Sequence, residues 1–115
     1  MRLVSVGLAS LVLAAAAVSS ALADPMTVAV TLKGHRFTPA AFSVPAGQKI
    51  RIVLSNQDSA TEEFDSHDLK VEQLVTPHGS TSFTVGPLKP GAYTFMGEFH
   101  PETAQGRIVA TAPGR

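Results

Sequence analysis

The 115-residue chain has no cysteine and no tryptophan, and only one tyrosine. Without cysteine, no disulfide can staple a small exported domain. There is also no thiolate for an electron-transfer copper site. Charge is sparse and balanced, with nine basic and nine acidic residues. A nucleic-acid binder needs a basic face, so the composition argues against nucleic acid as a partner. No stretch beyond residue 23 keeps a helical period over about 10 residues, which argues against a helical bundle. A G-x-S-x-G elbow and a glycine-rich phosphate loop are both missing from the sequence.

The first residues read as a leader. Met1-Arg2 supplies a short positive start, Leu3 to Ala17 is apolar, and Ala21-Leu22-Ala23 has the small-x-small form of a signal-peptidase site. The apolar run is short of the ~20 residues a membrane span needs. Residues 1–23 are therefore expected to be a cleaved signal peptide, with a single domain over 24–115 and a periplasmic location. Without Arg2, eight basic residues face nine acidic ones, a net charge of −1. One domain of this size can bury a core, and a bound metal would add stability by mass action.

The remainder reads as strands. Met26 to Leu32 is rich in valine and alternates. Phe42-Ser43-Val44 leads into the turn Pro45-Ala46-Gly47. Ile50, Ile52 and Leu54 alternate with Arg51, Val53 and Ser55, as a half-buried strand does. Leu69, Val71 and Gln73 suit another strand, with a turn at Pro77-His78-Gly79. Phe83 and Val85 follow, then a turn from Pro87 to Gly91. Tyr93, Phe95 and Phe99 lie on a sixth strand and its exit, and Ile108 and Ala110 on the last. Short strands with turns every ~8–12 residues indicate an all-β sandwich of six to eight strands. Exposed sheet edges are compatible with a monomer and with a homodimer.

Two histidine segments stand out, Glu63-Phe64-Asp65-Ser66-His67-Asp68-Leu69 and Gly97-Glu98-Phe99-His100-Pro101. About 33 residues separate the two histidines, enough for the hairpins that would bring them together. Eight of the nine acids lie between Asp58 and Glu102, and such a patch concentrates cations locally. His67 and His100 are the leading candidate metal ligands, and their plain alternative is a pair of partly buried histidines closing one end of the sandwich. If the strand stays extended to His100, then Met96 and Glu98 share its face, and both join the candidate set. Glu63 and Asp65 flank His67 as candidates, or form a solvated loop. His35, beside the first strand pair, is a late ligand or an outer support. Asp68 points away from His67 by alternation, and His78 sits in a surface turn.

At this point the residues resemble a family. Phe37-x-Pro39-x-x-Phe42-x-Val44-x-x-Gly47 resembles the opening strand pair of cupredoxins. Ser66-His67-Asp68 is similar to the step carrying their first histidine ligand. Tyr93-x-Phe95-x-Gly97-x-x-His100 sits where they have Tyr-x-Phe-x-Cys-x-x-His, and Gly106-x-Ile108-x-Ala110 is similar to their final strand. The resemblance implies a Greek-key sandwich with a metal site at one end. Gly97 then replaces the cysteine, and Ala104 or Gln105 the axial methionine, so a trigonal His2Cys site is impossible. The two histidine phrases resemble more closely the cysteine-free periplasmic proteins of Ftr- and Efe-type ferrous-iron uptake systems. That resemblance implies a membrane iron permease and a periplasmic metal-binding protein as partners.

The donor types agree with this direction. Carboxylate and imidazole suit iron, copper(II) or manganese, and the missing thiolate removes the ligand that favours Cu(I). Carboxylates favour the harder Fe(III) and so ease oxidation of Fe(II). The expected function is binding of Fe(II), with iron or copper as the bound ion, for delivery to a permease. Oxidation of that iron, by the protein alone or with bound copper, is left open. The alternatives are a copper carrier or tolerance protein with a type-2-like site, and a metal-free docking module of a transport complex.

Overall fold

The computed structural model describes residues 25–113. The expected signal peptide, residues 1–23, and its expected cleavage site lie outside the described residues. Among the described residues nine strands form, in chain order: β1 (Met26–Lys33), β2 (Arg36–Thr38), β3 (Ala41–Pro45), β4 (Ile50–Asn56), β5 (Glu62–Ser66), β6 (Val71–Val75), β7 (Ser80–Val85), β8 (Gly91–Gly97) and β9 (Gln105–Thr111). They make one sheet in the order β2-β1-β4-β7 and another in the order β3-β9-β8-β5-β6. The chain crosses between sheets after β2, β3, β4, β6 and β7. These crossings set β1 parallel to β4 and β3 parallel to β9. This is the expected all-β sandwich.

Alternation places the core. In β4, Ile50, Ile52 and Leu54 point inward and are fully buried, facing Phe64, Phe95 and Ile108 of the other sheet. At its centre the Phe64 and Phe95 rings stack at 4.7 Å, with Phe37 edge-on to Phe95 at 5.1 Å. Aromatic pairs at such separations add to plain area burial.

Two strands go beyond the sequence reading. β2 is only three residues long, too short to show a period. β5 covers the acidic stretch whose plain alternative is a solvated loop. It lies inside the sheet, between β6 and β8, with Glu62, Phe64 and Ser66 inward and Glu63 and Asp65 on the outer face. The acidic residues mask a period-2 pattern whose single apolar member is Phe64.

Candidate metal centre

The inward rows of β5 and β8 carry the core to one end of the sandwich, and there the side chains change character. Phe64 pairs in register with Gly97. One step further along the inward row of β5 comes Glu62, whose side chain is 1% exposed. Its Oε1 accepts the backbone N–H of Glu63 at 3.1 Å and of Phe99 at 2.9 Å, and its Oε2 meets Nδ1 of His100 in a very short contact. A buried carboxylate is tolerated only when satisfied in this way.

Gly97 makes room for that carboxylate. A Cβ on Gly97 would stand 2.7 Å from the Glu62 carboxyl carbon and 2.7 Å from the Ala104 Cβ. Beyond Gly97 the chain leaves the strand. The N–H of His100 donates to the Gly97 carbonyl at 3.0 Å, and the N–H of Ala104 donates to the His100 carbonyl at 2.9 Å. These turns present the His100 ring to Glu62.

The second histidine comes from the opposite sheet. Lys33 pairs with Arg36, so Gly34-His35 is a two-residue hairpin loop. Both residues have positive φ, 59° and 56°, as a type I′ turn requires. A side chain at positive φ costs roughly 1–2 kcal/mol. The turn is held from outside by Asp58, whose Oδ1 accepts the Gly34 N–H at 2.7 Å and whose Oδ2 accepts the His35 N–H at 2.9 Å. These bonds, that of His35 foremost, hold the Asp58 carboxyl below its ordinary pKa, against partial burial. The His35 ring stacks on that of His100, with centroids 3.6 Å apart and planes 11° from parallel.

His35, Glu62 and His100 thus form one group, with one potential ligand atom from each inside a 4.8 Å span. Two of the three are sequence candidates, His100 and His35. Glu62 enters the sequence reading only as part of the acidic patch, and its signal is its parity with Phe64. His67 is not brought to this group. It follows the far end of β5, five residues beyond Glu62, and at about 3.3 Å per residue that separation is roughly 16 Å. There Ser66 Oγ donates to the Thr94 carbonyl at 2.7 Å, and Asp68 Oδ2 accepts the Thr94 N–H at 2.9 Å. His67 lines an open surface hollow with Asp65, Lys70 and Glu72.

The other candidates divide between faces. Glu63 and Asp65 point outward and form a separate acidic group with Glu72. Burial pushes the Glu63 carboxyl above its ordinary pKa, and the neighbouring Glu98 carboxyl adds to the shift. Met96 pairs with Asp65 and is 42% exposed on that outer face. Because β8 ends at Gly97, the extended run that would have put Met96 and Glu98 on the face of His100 does not form. Glu98 is exposed.

Two imidazoles and one carboxylate make an N2O donor set that suits first-row divalent cations, ferrous iron among them. A blue-copper centre does not fit. There is no thiolate, and the Glu62 carboxylate fills the space beside Gly97 that a side chain there would need.

Comparison with known proteins gives a consistent placement. The uncharacterized protein RP394 of Rickettsia prowazekii (strain Madrid E) is 46% identical over 84 residues, covering 73% of this chain and 67% of its own length. Auracyanin A, a "blue" copper protein from Chloroflexus aurantiacus, superposes with a TM-score of 0.66 at 16% identity, over 76% of this chain and all of its own. The metal-binding domain of the Cu(I)-exporting P-type ATPase CopA of Streptococcus pneumoniae D39 gives 0.64 at 10% identity, over 74% of this chain and 84% of that one. At these identities the two structures speak for the fold alone. The model of the cupredoxin-like domain matches residues 6–110, and the chain belongs to that family.

Proposed function

We propose that this protein is an exported metal-binding cupredoxin that holds a first-row cation, with iron as its cargo, at His35, Glu62 and His100. The observation that carries the reading is the convergence of two histidines and one buried glutamate at the end of the sandwich. Two-histidine, one-carboxylate donor sets with open positions are those of non-haem ferrous sites. A charged carboxylate also favours the harder, more highly charged Fe(III), so the same ligands lower the potential of a bound iron and ease its oxidation. Delivery to a membrane iron permease, beside a periplasmic metal-binding partner, follows from the resemblance of the two histidine phrases and from the leader. A copper carrier is the second reading, favoured by the copper-handling proteins that share the fold.

The test is a competition titration of the purified protein with Fe(II) under anaerobic conditions and with Cu(II). Cu(II) should bind more tightly in vitro whatever the cargo, by the Irving–Williams order. Affinity for either ion should fall at least tenfold in His100→Ala and in Glu62→Gln. Iron uptake should fail in cells carrying only the His100→Ala protein. Unchanged binding in both variants would place the ion elsewhere on the protein, no binding by the wild type would leave the metal-free docking module, and normal uptake with lost copper tolerance would leave the copper carrier.

A further inference from the structure

The β1–β2 turn and the loop between β4 and β5 belong to different parts of the sandwich, yet they are tied together at the site. Asp58 is the tie. Its two carboxylate oxygens each accept one backbone N–H from Gly34-His35, which holds both residues of the turn in their positive-φ conformation. The loop that carries Asp58 is itself anchored. Asn56, 2% exposed, accepts the Asp58 N–H on Oδ1 at 3.0 Å, and its amide donates to the carbonyls of Ala60 at 2.8 Å and Thr76 at 3.1 Å. The chain from the core to the His35 ring is therefore continuous: Asn56, Asp58, the turn, then the imidazole.

The Asp58 carboxylate also faces the His35 ring, with Oδ2 3.5 Å from Nδ1. A carboxylate has only acceptor atoms, so it opposes a lone pair at Nδ1 and favours a proton there. That leaves the lone pair on Nε2, the nitrogen farther from Asp58. An oriented outer carboxylate behind a histidine is a common way of fixing tautomer and ring direction at metal sites, and its loss typically costs about 10–100-fold in affinity.

We propose that Asp58 is the positioning residue of the metal centre, holding the Gly34-His35 turn over His100 and directing His35 to offer Nε2 to the cation. This rests on the reading of His35, Glu62 and His100 as ligands. Glu62 and His100 are set by β5 and by the loop after β8, so Asp58 governs the third donor alone.

The test uses the mature protein and the variants Asp58→Ala, Asp58→Asn and His35→Ala. The imidazole 15N shifts of metal-free protein report the tautomer directly. In the wild type His35 should carry its proton on Nδ1. In Asp58→Ala the His35 tautomers should mix while those of His67 and His78 stay unchanged. Cu(II) and anaerobic Fe(II) affinities should fall about 10–100-fold in Asp58→Ala and by less in Asp58→Asn, whose remaining oxygen can still accept one turn N–H. If Asp58→Ala does not fold, Asp58→Asn carries the test through the same shifts and affinities. A His35 tautomer and a metal affinity unchanged in the Asp58 variants, with affinity lost in His35→Ala, overturn the role of Asp58 and leave the site standing. Affinity unchanged in His35→Ala as well overturns the site reading together with it.

Discussion

The carboxyl carbon of Glu62 lies 2.7 Å from the point where a Cβ on Gly97 would stand. The two positions share one volume. A side chain at 97 and the inward carboxylate at 62 exclude each other, and this chain has taken the carboxylate. The place where the cupredoxin resemblance puts a thiolate is thereby filled by a carboxylate.

Gly97→Ala should consequently disturb the site and the core together. The new methyl group meets both Glu62 and Ala104, and overpacking of this kind typically costs about 1–3 kcal/mol. Urea denaturation should show a lower midpoint with an unchanged slope, and Cu(II) titration should show weakened binding. Gly97→Cys should give no intense blue band, because Glu62 still occupies the thiolate's place. A strong band would show that the carboxylate moves aside.

Glu62→Ala should be costly even without metal. It leaves the Glu63 and Phe99 N–H groups without their acceptor, and a buried group left unsatisfied costs about 1–3 kcal/mol. Glu62→Gln keeps one acceptor oxygen and should fold nearly as well as the wild type. In metal competition it should lose Fe(III) affinity more than Cu(II) affinity, because removing a negative oxygen affects the more highly charged ion most.

His67→Ala should leave the affinity of the centre within about twofold of the wild type, since the rise along an extended strand carries His67 roughly 16 Å from Glu62. His100→Ala should abolish it. Titration of the two variants side by side is enough. A loss in His67→Ala with none in His100→Ala would mean that the ion is held on the outer face, near the Glu63, Asp65 and Glu72 group.

Two outward carboxyls should give opposite pH signatures. Glu63 has its pKa raised above 4.5 by burial and by Glu98, so its ionisation opposes folding. That penalty is absent below pH 4.5 and complete once the pH exceeds the raised folded value. Glu63→Gln should therefore be more stable than the wild type at neutral pH and equal to it in acid. Asp68 has its pKa lowered below 3.8, chiefly by the Thr94 N–H and then by the Thr94 hydroxyl. Its contribution is present above pH 3.8 and disappears as the pH falls through the folded value. Asp68→Asn should be less stable than the wild type at neutral pH and match it in strong acid. Urea midpoints at several pH values would read both signs.

Much of the architecture was legible from local pattern. The alternation of Ile50, Ile52 and Leu54, the valine-rich first strand and the turns at Pro45-Ala46-Gly47 and Pro77-His78-Gly79 carry their structure in their order along the chain, because side chains alternate and turn residues bend the backbone wherever they stand. The missing cysteine alone ruled out a thiolate ligand. His100 and His35, which the structure brings together, were both among the residues singled out in the sequence.

The partners of His100 were decided only by tertiary structure. Glu62 and His67 are five residues apart in the sequence, and either could have met His100. Burying Phe64 fixed the parity of β5 and turned Glu62 inward. The register of β5 with β8, Phe64 opposite Gly97, then placed the Glu62 end of the strand, rather than the His67 end, beside the loop that carries His100. His35 reached the same point from the other sheet, through a hairpin turn tied to Asp58 across 23 residues. Composition and periodicity describe one strand at a time. Which ends of which strands meet depends on strand register and on the packing of one sheet against the other, and those are properties of the folded chain.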